Sequence, residues 1–141
     1  MTIKFKRLSK QAIIPQYAHS GDAGLDLFSC ENYILKPGER HTFHLGFALE
    51  IPQNYVGLIW DKGSLPFRAG VHTLAGVADS GYRGEYVIIL INLGNKPYAI
   101  ERGDKIAQLL IQPIINVKVK EVKTLSKTAR GEGRMGSTGR K

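Results

Sequence analysis

Alternating apolar and polar residues define the clearest predicted element of the chain. In the stretch HTFHLGFALEI, every second residue of the segment 43–51 is apolar, namely Phe43, Leu45, Phe47, Leu49 and Ile51. A period of two places these side chains on one face of a β-strand. The pattern therefore predicts one half-buried strand over this segment.

Other apolar segments predict further strands. Residues 3–9 and 54–61 are shorter candidates, and the continuously apolar stretch EYVIILINL (85–93) predicts a strand that is buried on both faces. Residues 105–122 predict two strands that meet near Pro113, because proline cannot donate a hydrogen bond to a sheet. Turn-forming clusters separate these segments, and no helical apolar period of useful length is present. We therefore predict an all-β fold, a jelly-roll-like β-barrel over residues 1–122.

The segment 123–141 loses this pattern and is strongly basic. The chain of 141 residues has a formal net charge of +8, and residues 118–141 contribute +6 of it, with eight Lys or Arg against two Glu. A basic, glycine-rich arm behind a nearly neutral body has two interpretations. It is either a solvated tail that attracts nucleic acids, or a flexible arm that becomes ordered around an anion.

Composition narrows the class of protein. An apolar content of 43% is ordinary for a globular domain. No apolar run approaches the roughly 20 residues of a membrane span, and the N-terminus shows no signal-peptide pattern, so we expect no membrane association. The single cysteine, Cys30, excludes an internal disulfide and is typical of a reducing compartment, which predicts a cytoplasmic protein.

Four short segments contain polar residues that strand formation does not explain. Asp26 lies between two leucines at a predicted strand start, and Gln108 interrupts an apolar strand. The stretch DKGSL combines a cation, a glycine and a hydroxyl, which is a plausible phosphate-binding turn. Asp79 follows a short apolar run, and Tyr82 stands between glycines that leave one face of its ring open to a planar or sugar ligand.

Each of these segments also has a structural interpretation. Aspartates often cap turns, and a basic turn is often only solvated. Gln108 could be an outward-facing strand residue. Judged one at a time, the segments therefore do not decide between a binding site and ordinary loops.

Taken together and in order, these segments resemble the five motifs of the trimeric dUTP pyrophosphatase (dUTPase) family. The matching stretches are AGLDL (23–27), DKGSL (61–65), GVADSGYRGE (76–85), RGDKIAQLL (102–110) and ARGEGRMGSTGR (129–140). The resemblance covers nearly the whole chain. It implies a dUTPase-type β-barrel, with residues 123–141 as a flexible C-terminal arm that carries a phosphate-binding lid.

The resemblance implies a reaction, the hydrolysis of dUTP to dUMP and pyrophosphate. Asp79 would activate a water that attacks the α-phosphate, and Mg²⁺ would bridge the phosphates as cofactor. No protein atom would touch the ion directly, and Asp26 and Gln108 would act on it only through water. Such a reaction keeps uracil out of DNA and supplies dUMP for dTMP synthesis.

The resemblance also implies a homotrimer with sites at the subunit interfaces. Tyr82 would pack against the deoxyribose and exclude a 2′-hydroxyl, and the hairpin over residues 70–78 would read the edge of uracil. Residues implied to contact the substrate are Lys62, Gly63, Ser64, Thr73, Val77, Ala78, Tyr82, Gln108, Arg130, Met135, Gly136, Ser137 and Thr138.

Several of these positions depart from the family pattern. Lys62 replaces an arginine, which keeps the charge but loses the bidentate fork, and Gly63 and Ser64 stand in exchanged order. Ala78 replaces an isoleucine. Met135 replaces a phenylalanine that would lie over the uracil, so it would serve as a flexible apolar cover.

Other functions share parts of this pattern. A dCTP deaminase-like enzyme has the same fold, but its family lacks the Ser-Thr-Gly segment of the arm. A non-catalytic nucleotide-sensing protein would not need the full set of Asp26, Asp79, Tyr82 and Gln108. A nucleic-acid binder would use the basic arm with a steep salt dependence. We expect the ligand to be dUTP, and the predicted function needs no nucleic acid.

Overall fold

Short antiparallel strands dominate the computed structural model, which describes residues 1–134. The strands are β1 (Lys4–Arg7), β2 (Gly24–Phe28), β3 (Tyr33–Leu35), β4 (Arg40–His44), β5 (Phe47–Glu50), β6 (Tyr55–Asp61), β7 (Val71–Thr73), β8 (Val77–Asp79), β9 (Val87–Asn92), β10 (Tyr98–Ile100) and β11 (Lys105–Pro113). One helix, α1 (Ser64–Ala69), follows β6. The all-β prediction is confirmed.

Two larger sheets and two strand pairs build the domain. One sheet has the order β2-β11-β6-β8, the other β4-β9-β7, and β1 pairs with β5 while β3 pairs with β10. Their inner faces enclose an apolar core. Its largest fully buried side chains include Phe43, Phe47, Leu27, Leu35, Leu45, Ile51, Ile88, Leu90, Ile100, Ile106 and Leu109.

The alternating segment 43–51 is buried as predicted, but the prediction of one continuous strand is wrong. β4 ends at His44 and β5 begins at Phe47, and the two strands belong to different sheets. Gly46, between them, has a φ of 68°, a left-handed conformation that favours glycine. A Cβ at this position would lie 2.8 Å from the Cβ of Ser9. The apolar period therefore continues across a corner where the chain changes sheets.

Strand β9 departs from the prediction for residues 85–93. Its residues Ile88, Leu90 and Asn92 are buried, whereas the alternate positions are only half-buried. The prediction of burial on both faces is therefore wrong for the single chain. Asn92 is accommodated in the core because its Nδ2 donates to the carbonyl oxygens of Leu35 (2.9 Å) and Lys96 (2.8 Å).

The chain after Pro113 contradicts the predicted second strand. Residues 114–122 form no strand, and the alternating apolar residues Ile115, Val117 and Val119 are 89%, 76% and 94% exposed. β11 ends because Pro113 lies opposite Tyr55, the first residue of its partner β6. The proposed boundary between domain and arm at residue 122 stays a prediction.

Helix α1 was not predicted, because six residues are too few to show a helical apolar period. It ends at Gly70, which has a left-handed φ of 68°. The backbone N–H of Gly70 donates to the carbonyl oxygens of Leu65 and Pro66 and so completes the last turn. Among residues 1–134, no helix is long and apolar enough to cross a membrane.

Candidate active site

Asp26 is the centre of a buried ion-pair cluster. It lies in β2, and its side chain is 1% exposed. Its Oδ1 accepts a hydrogen bond from one lysine, and its Oδ2 forms an ion pair with a second lysine. Oδ1 lies 2.5 Å from Lys62 Nζ and Oδ2 lies 2.8 Å from Lys105 Nζ. Burial opposes ionisation, but the attraction of Lys105 and Lys62 outweighs it and holds the pKa of the Asp26 carboxyl below its ordinary value. The carboxylate is therefore charged and doubly paired.

Gln108 lies directly opposite Asp26 across the β2–β11 ladder. Its Nε2 donates to the backbone oxygen of Asp61 at 2.8 Å, which fixes the side chain toward the end of β6. A Cβ at position 24 would lie 2.4 Å from Gln108 Oε1, so glycine at this position leaves room for the amide. The structure thus brings the predicted pair of Asp26 and Gln108 together.

Lys62 and Gly63 connect the end of β6 to Ser64, which is the first residue of α1. Lys62 is half-buried against Asp26, whereas Gly63 and Ser64 are exposed. Ser64 and Lys105 line the same cavity, of about 320 Å³. A Cβ at Gly63 would meet no atom within 4 Å, so nothing in the structure explains the exchanged order of Gly63 and Ser64.

Asp61 joins three segments of the site, and the sequence analysis missed this role. Its Oδ1 accepts hydrogen bonds from the backbone N–H (2.7 Å) and the hydroxyl (2.9 Å) of Thr73, and its Oδ2 lies 2.7 Å from His72 Nδ1. Burial opposes ionisation, but the bonds from Thr73 and His72 lower the pKa of the Asp61 carboxyl. The one sequence signal for Asp61 was its position next to Lys62 in DKGSL. Its partners His72 and Thr73 are more than ten residues away along the chain, so their contacts with Asp61 were not predicted.

Asp79 and Tyr82 line a second cavity, of about 220 Å³, together with Val77 and Ala78. Asp79 is exposed at the end of β8, and its carbonyl oxygen accepts a hydrogen bond from Tyr82 N at 3.0 Å. The Tyr82 hydroxyl donates to the Glu85 carbonyl oxygen at 2.8 Å. These contacts place the carboxylate and the half-exposed aromatic ring at the mouth of one cavity.

The loop that carries Tyr82 is anchored to the neighbouring sheet. Glu85 Oε1 accepts a hydrogen bond from Gly46 N and Oε2 lies beside His44 Nδ1, both at 2.9 Å. The bond to His44 holds the pKa of the Glu85 carboxyl below its ordinary value, against partial burial. A Cβ at Gly84 would lie 2.4 Å from the Tyr82 hydroxyl oxygen, so the glycine allows the ring to fold over the loop.

The two clusters occupy different ends of strand β6. Asp79 pairs with Val56, whereas Gln108 pairs with Trp60. Val56 and Trp60 are four positions apart along the strand, which is on the order of 13 Å. Within the described chain, the residues that line the cavity of Asp79 include neither Lys62 nor Gln108. One chain therefore presents two separate clusters. The lysine-rich cluster consists of Asp26, Lys62, Lys105 and Gln108, and the carboxylate–tyrosine cluster consists of Asp79 and Tyr82.

Only the first part of the predicted lid lies within residues 1–134. Arg130 is exposed in a short turn, where its Nε donates to the Gly133 carbonyl oxygen at 3.1 Å. Gly131 N donates to the hydroxyl of Thr128 at 3.1 Å. The predictions for Met135, Gly136, Ser137 and Thr138 concern positions outside the described residues.

The polar residues suit an ion that is held chiefly by phosphates and water. In the part of the chain from Met1 to Arg134, no group of three or more His, Cys, Asp or Glu residues could hold a metal directly. Mg²⁺ is commonly bound through substrate phosphates and keeps several waters. A carboxylate has about four acceptor positions, so Asp26 retains acceptor capacity beyond its two lysines.

Comparison with known proteins identifies the family. The dUTPase family matches residues 10–139. The deoxyuridine 5′-triphosphate nucleotidohydrolase of Clostridium tetani is 47% identical, with 99% of this chain and 97% of the relative covered. The enzyme of the same name from Clostridium kluyveri is 46% identical, with 99% of both covered.

Solved structures show the same fold. A variant of the dUTPase of Staphylococcus bacteriophage 80alpha with dUpNHpp superposes with a TM-score of 0.88 at 33% identity and covers 98% of both chains. A variant of the dUTPase from phage phi11 of S. aureus, described with a structural Mg(II) ion, has a TM-score of 0.82 at 29% identity and covers 88% of this chain and 98% of that one. These matches confirm the predicted jelly-roll-like dUTPase fold and the enzyme class, dUTP diphosphatase. The chain belongs to the dUTPase family of nucleotide hydrolases.

Proposed function

We propose that this protein hydrolyses dUTP to dUMP and pyrophosphate at sites that combine the two clusters from neighbouring subunits of a homotrimer. The observation that carries the proposal is the position of Asp79, an exposed carboxylate beside Tyr82 at the mouth of a cavity. Its relatives bear the name deoxyuridine 5′-triphosphate nucleotidohydrolase, which supports dUTP as the substrate.

Asp79 is the proposed general base. A carboxylate at the rim of a cavity is accessible to water, and removal of a proton from that water makes it a stronger nucleophile. The water attacks the α-phosphorus, the bond from that phosphorus to the bridging oxygen breaks, and pyrophosphate leaves. The oxygen of the water therefore becomes part of dUMP.

The lysine-rich cluster is the proposed phosphate site. Lys62, Gly63 and Ser64 are the residues that we expect to contact the phosphates, and they follow one another directly after the end of β6. Bound with the triphosphate, Mg²⁺ would offset the charge of the phosphate oxygens. Asp26 and Gln108 are the residues that we expect to orient one of the waters around the ion. Arg130 and the lid residues Met135, Gly136, Ser137 and Thr138 complete the proposed substrate contacts.

Base selection is proposed to depend on Thr73 in β7 and on Val77 and Ala78 in β8. The predicted hairpin over residues 70–78 is wrong, because β7 pairs with β9 in one sheet and β8 pairs with β6 in the other. The Thr73 hydroxyl donates its single proton to Asp61, so its remaining capacity is to accept a hydrogen bond. Uracil offers a donor at N3, whereas cytosine offers an acceptor there and would leave the hydroxyl unsatisfied. Tyr82 packs against the deoxyribose, which leaves no room for a 2′-hydroxyl.

The separation of the clusters supports shared sites. Asp79 and Gln108 lie on the order of 13 Å apart along β6 in one chain, by the strand rise. A closed trimer can place the carboxylate of one subunit opposite the lysines of the next and repeat the contact three times.

We propose that the reaction takes place in the cytoplasm, where it keeps uracil out of DNA and supplies dUMP for dTMP synthesis.

The substrate assay uses purified protein, Mg²⁺ and water labelled with heavy oxygen, with dUTP, dCTP, dTTP and UTP in separate reactions. We expect pyrophosphate from dUTP alone, with the label in dUMP. Label in pyrophosphate would place the attack on another phosphorus. A deaminated product from dCTP would establish the deaminase alternative, and absence of turnover with all four nucleotides would favour a nucleotide sensor.

A further inference from the structure

The buried carboxylate of Asp26 has two counter-ions from different elements. Lys62 follows the end of β6, and Lys105 is the first residue of β11. Their ammonium groups lie 2.5 Å and 2.8 Å from the two oxygens of one carboxylate that is 1% exposed. The three groups together carry one surplus positive charge. A single buried carboxylate would need only one of these lysines for neutrality.

Both lysine side chains extend from the buried Asp26 carboxylate to the surface. The side chain of Lys62 is 30% exposed and that of Lys105 is 43% exposed. Lys105 also lines a cavity with Ser64, two residues beyond Lys62. The cluster therefore borders the segment that we have proposed as the phosphate site.

Pairing with Asp26 limits what Lys62 can do for a ligand. An ammonium group that turns toward a phosphate weakens its contact with Asp26, and a buried carboxylate left without a partner is strongly destabilising. Lys105 lowers this cost, because its ammonium group stays paired with Oδ2 of Asp26 when Lys62 turns toward a phosphate. The same arrangement explains why the pKa of the Asp26 carboxyl is low in spite of its burial.

We propose that Lys105 is a positioning residue for phosphate binding: it keeps Asp26 paired so that the ammonium group of Lys62 can turn to the triphosphate. The proposal rests on the proposed role of Lys62 as a phosphate ligand. No role in the site was predicted for Lys105 from the sequence, because its contact with Asp26 joins residues that are distant along the chain.

The test measures binding rather than turnover. The probes are dUTP in EDTA, which prevents magnesium-dependent hydrolysis, and deoxyuridine, which has no phosphates. In Lys105→Gln, Lys62 becomes the only cation on Asp26, so the fold keeps a paired carboxylate. We expect dUTP to bind at least about tenfold more weakly than to the wild type, since Lys62 is now held by the buried charge. Binding of deoxyuridine should be unchanged, and Lys105→Arg should bind dUTP nearly as the wild type does.

A double variant separates positioning from direct contact. Asp26→Asn combined with Lys105→Gln removes the buried charge that holds Lys62, so the affinity for dUTP lost in Lys105→Gln should return. Unchanged dUTP affinity in Lys105→Gln would overturn the proposal. So would failure of the double variant to recover affinity, which would indicate that Lys105 touches the phosphate itself. If the wild type bound dUTP no more tightly than deoxyuridine, the phosphates would contribute nothing to binding. That result would contradict the proposed role of Lys62 as a phosphate ligand, and the role of Lys105 that depends on it.

Discussion

Replacement of Asp79 by asparagine will abolish most of the turnover of dUTP while leaving its binding nearly intact. Asparagine keeps the shape of the side chain at the end of β8 but cannot accept a proton from water at neutral pH. Loss of a general base typically costs roughly 10²–10⁴-fold in rate. We expect kcat to fall by that factor and KM to change little, as measured by pyrophosphate release under saturating and limiting dUTP.

Asp22→Asn is the matched control. Asp22 is also exposed, and its carboxylate accepts a hydrogen bond from His19 N at 2.9 Å in a turn outside both clusters. This variant should retain the wild-type kcat. Comparable rates for Asp79→Asn and the wild type would remove Asp79 from the mechanism.

Truncation after Ala129 should leave a folded protein with little activity. Among the described residues the last strand ends at Pro113, and residues 114–134 form neither a helix nor a strand. The described part of the deleted segment therefore contributes nothing to the sheets, and we expect them to form without it. The deletion removes Arg130 and the predicted lid residues. Loss of donors to a charge that develops in the transition state costs about 10²–10³-fold. We expect kcat/KM to fall by at least this factor with an unchanged melting temperature.

A control that lowers the charge of the arm separates the lid from bulk electrostatics. The truncation itself removes a net charge of +3, from four Lys or Arg against one Glu. Lys123 and Lys127 are exposed in the part of the arm that the truncation retains. Changing both to glutamine removes two positive charges and should preserve activity. If the truncated protein were fully active, the segment 130–141 would be a solvated tail rather than a lid.

Local patterns of the sequence predicted much of the fold. Period-two alternation identified the buried face of residues 43–51, because side chains on one face of a strand recur at every second position. It could not reveal the corner at Gly46, since the alternation continues while the chain passes from one sheet to another. The segment 114–122 alternates as a strand does but has no partner strand in the described chain.

Short motifs predicted part of the candidate site. Asp26, Gln108, Asp79 and Tyr82 were predicted from segments that strand formation did not explain. The structure places Asp26 opposite Gln108 and puts Asp79 and Tyr82 in one cavity lining, and their roles stay predictions. Asp61 was not identified, because its partners at positions 72 and 73 reach it only through folding. Contacts of this kind depend on register and packing, which single-chain patterns do not specify.

The central claim is that one site uses residues of two subunits, and mixing of two inactive variants tests it most directly. Asp79→Asn lacks the base but keeps the lysine cluster, and Lys62→Ala has the opposite defect. The variants are refolded separately and together, and dUTP hydrolysis is measured. Random assembly of a closed trimer should restore about one quarter of the sites, because each site takes its two halves from independently chosen subunits. A refolded mixture no more active than the separate variants would contradict the shared site and place both clusters in the site of a single chain.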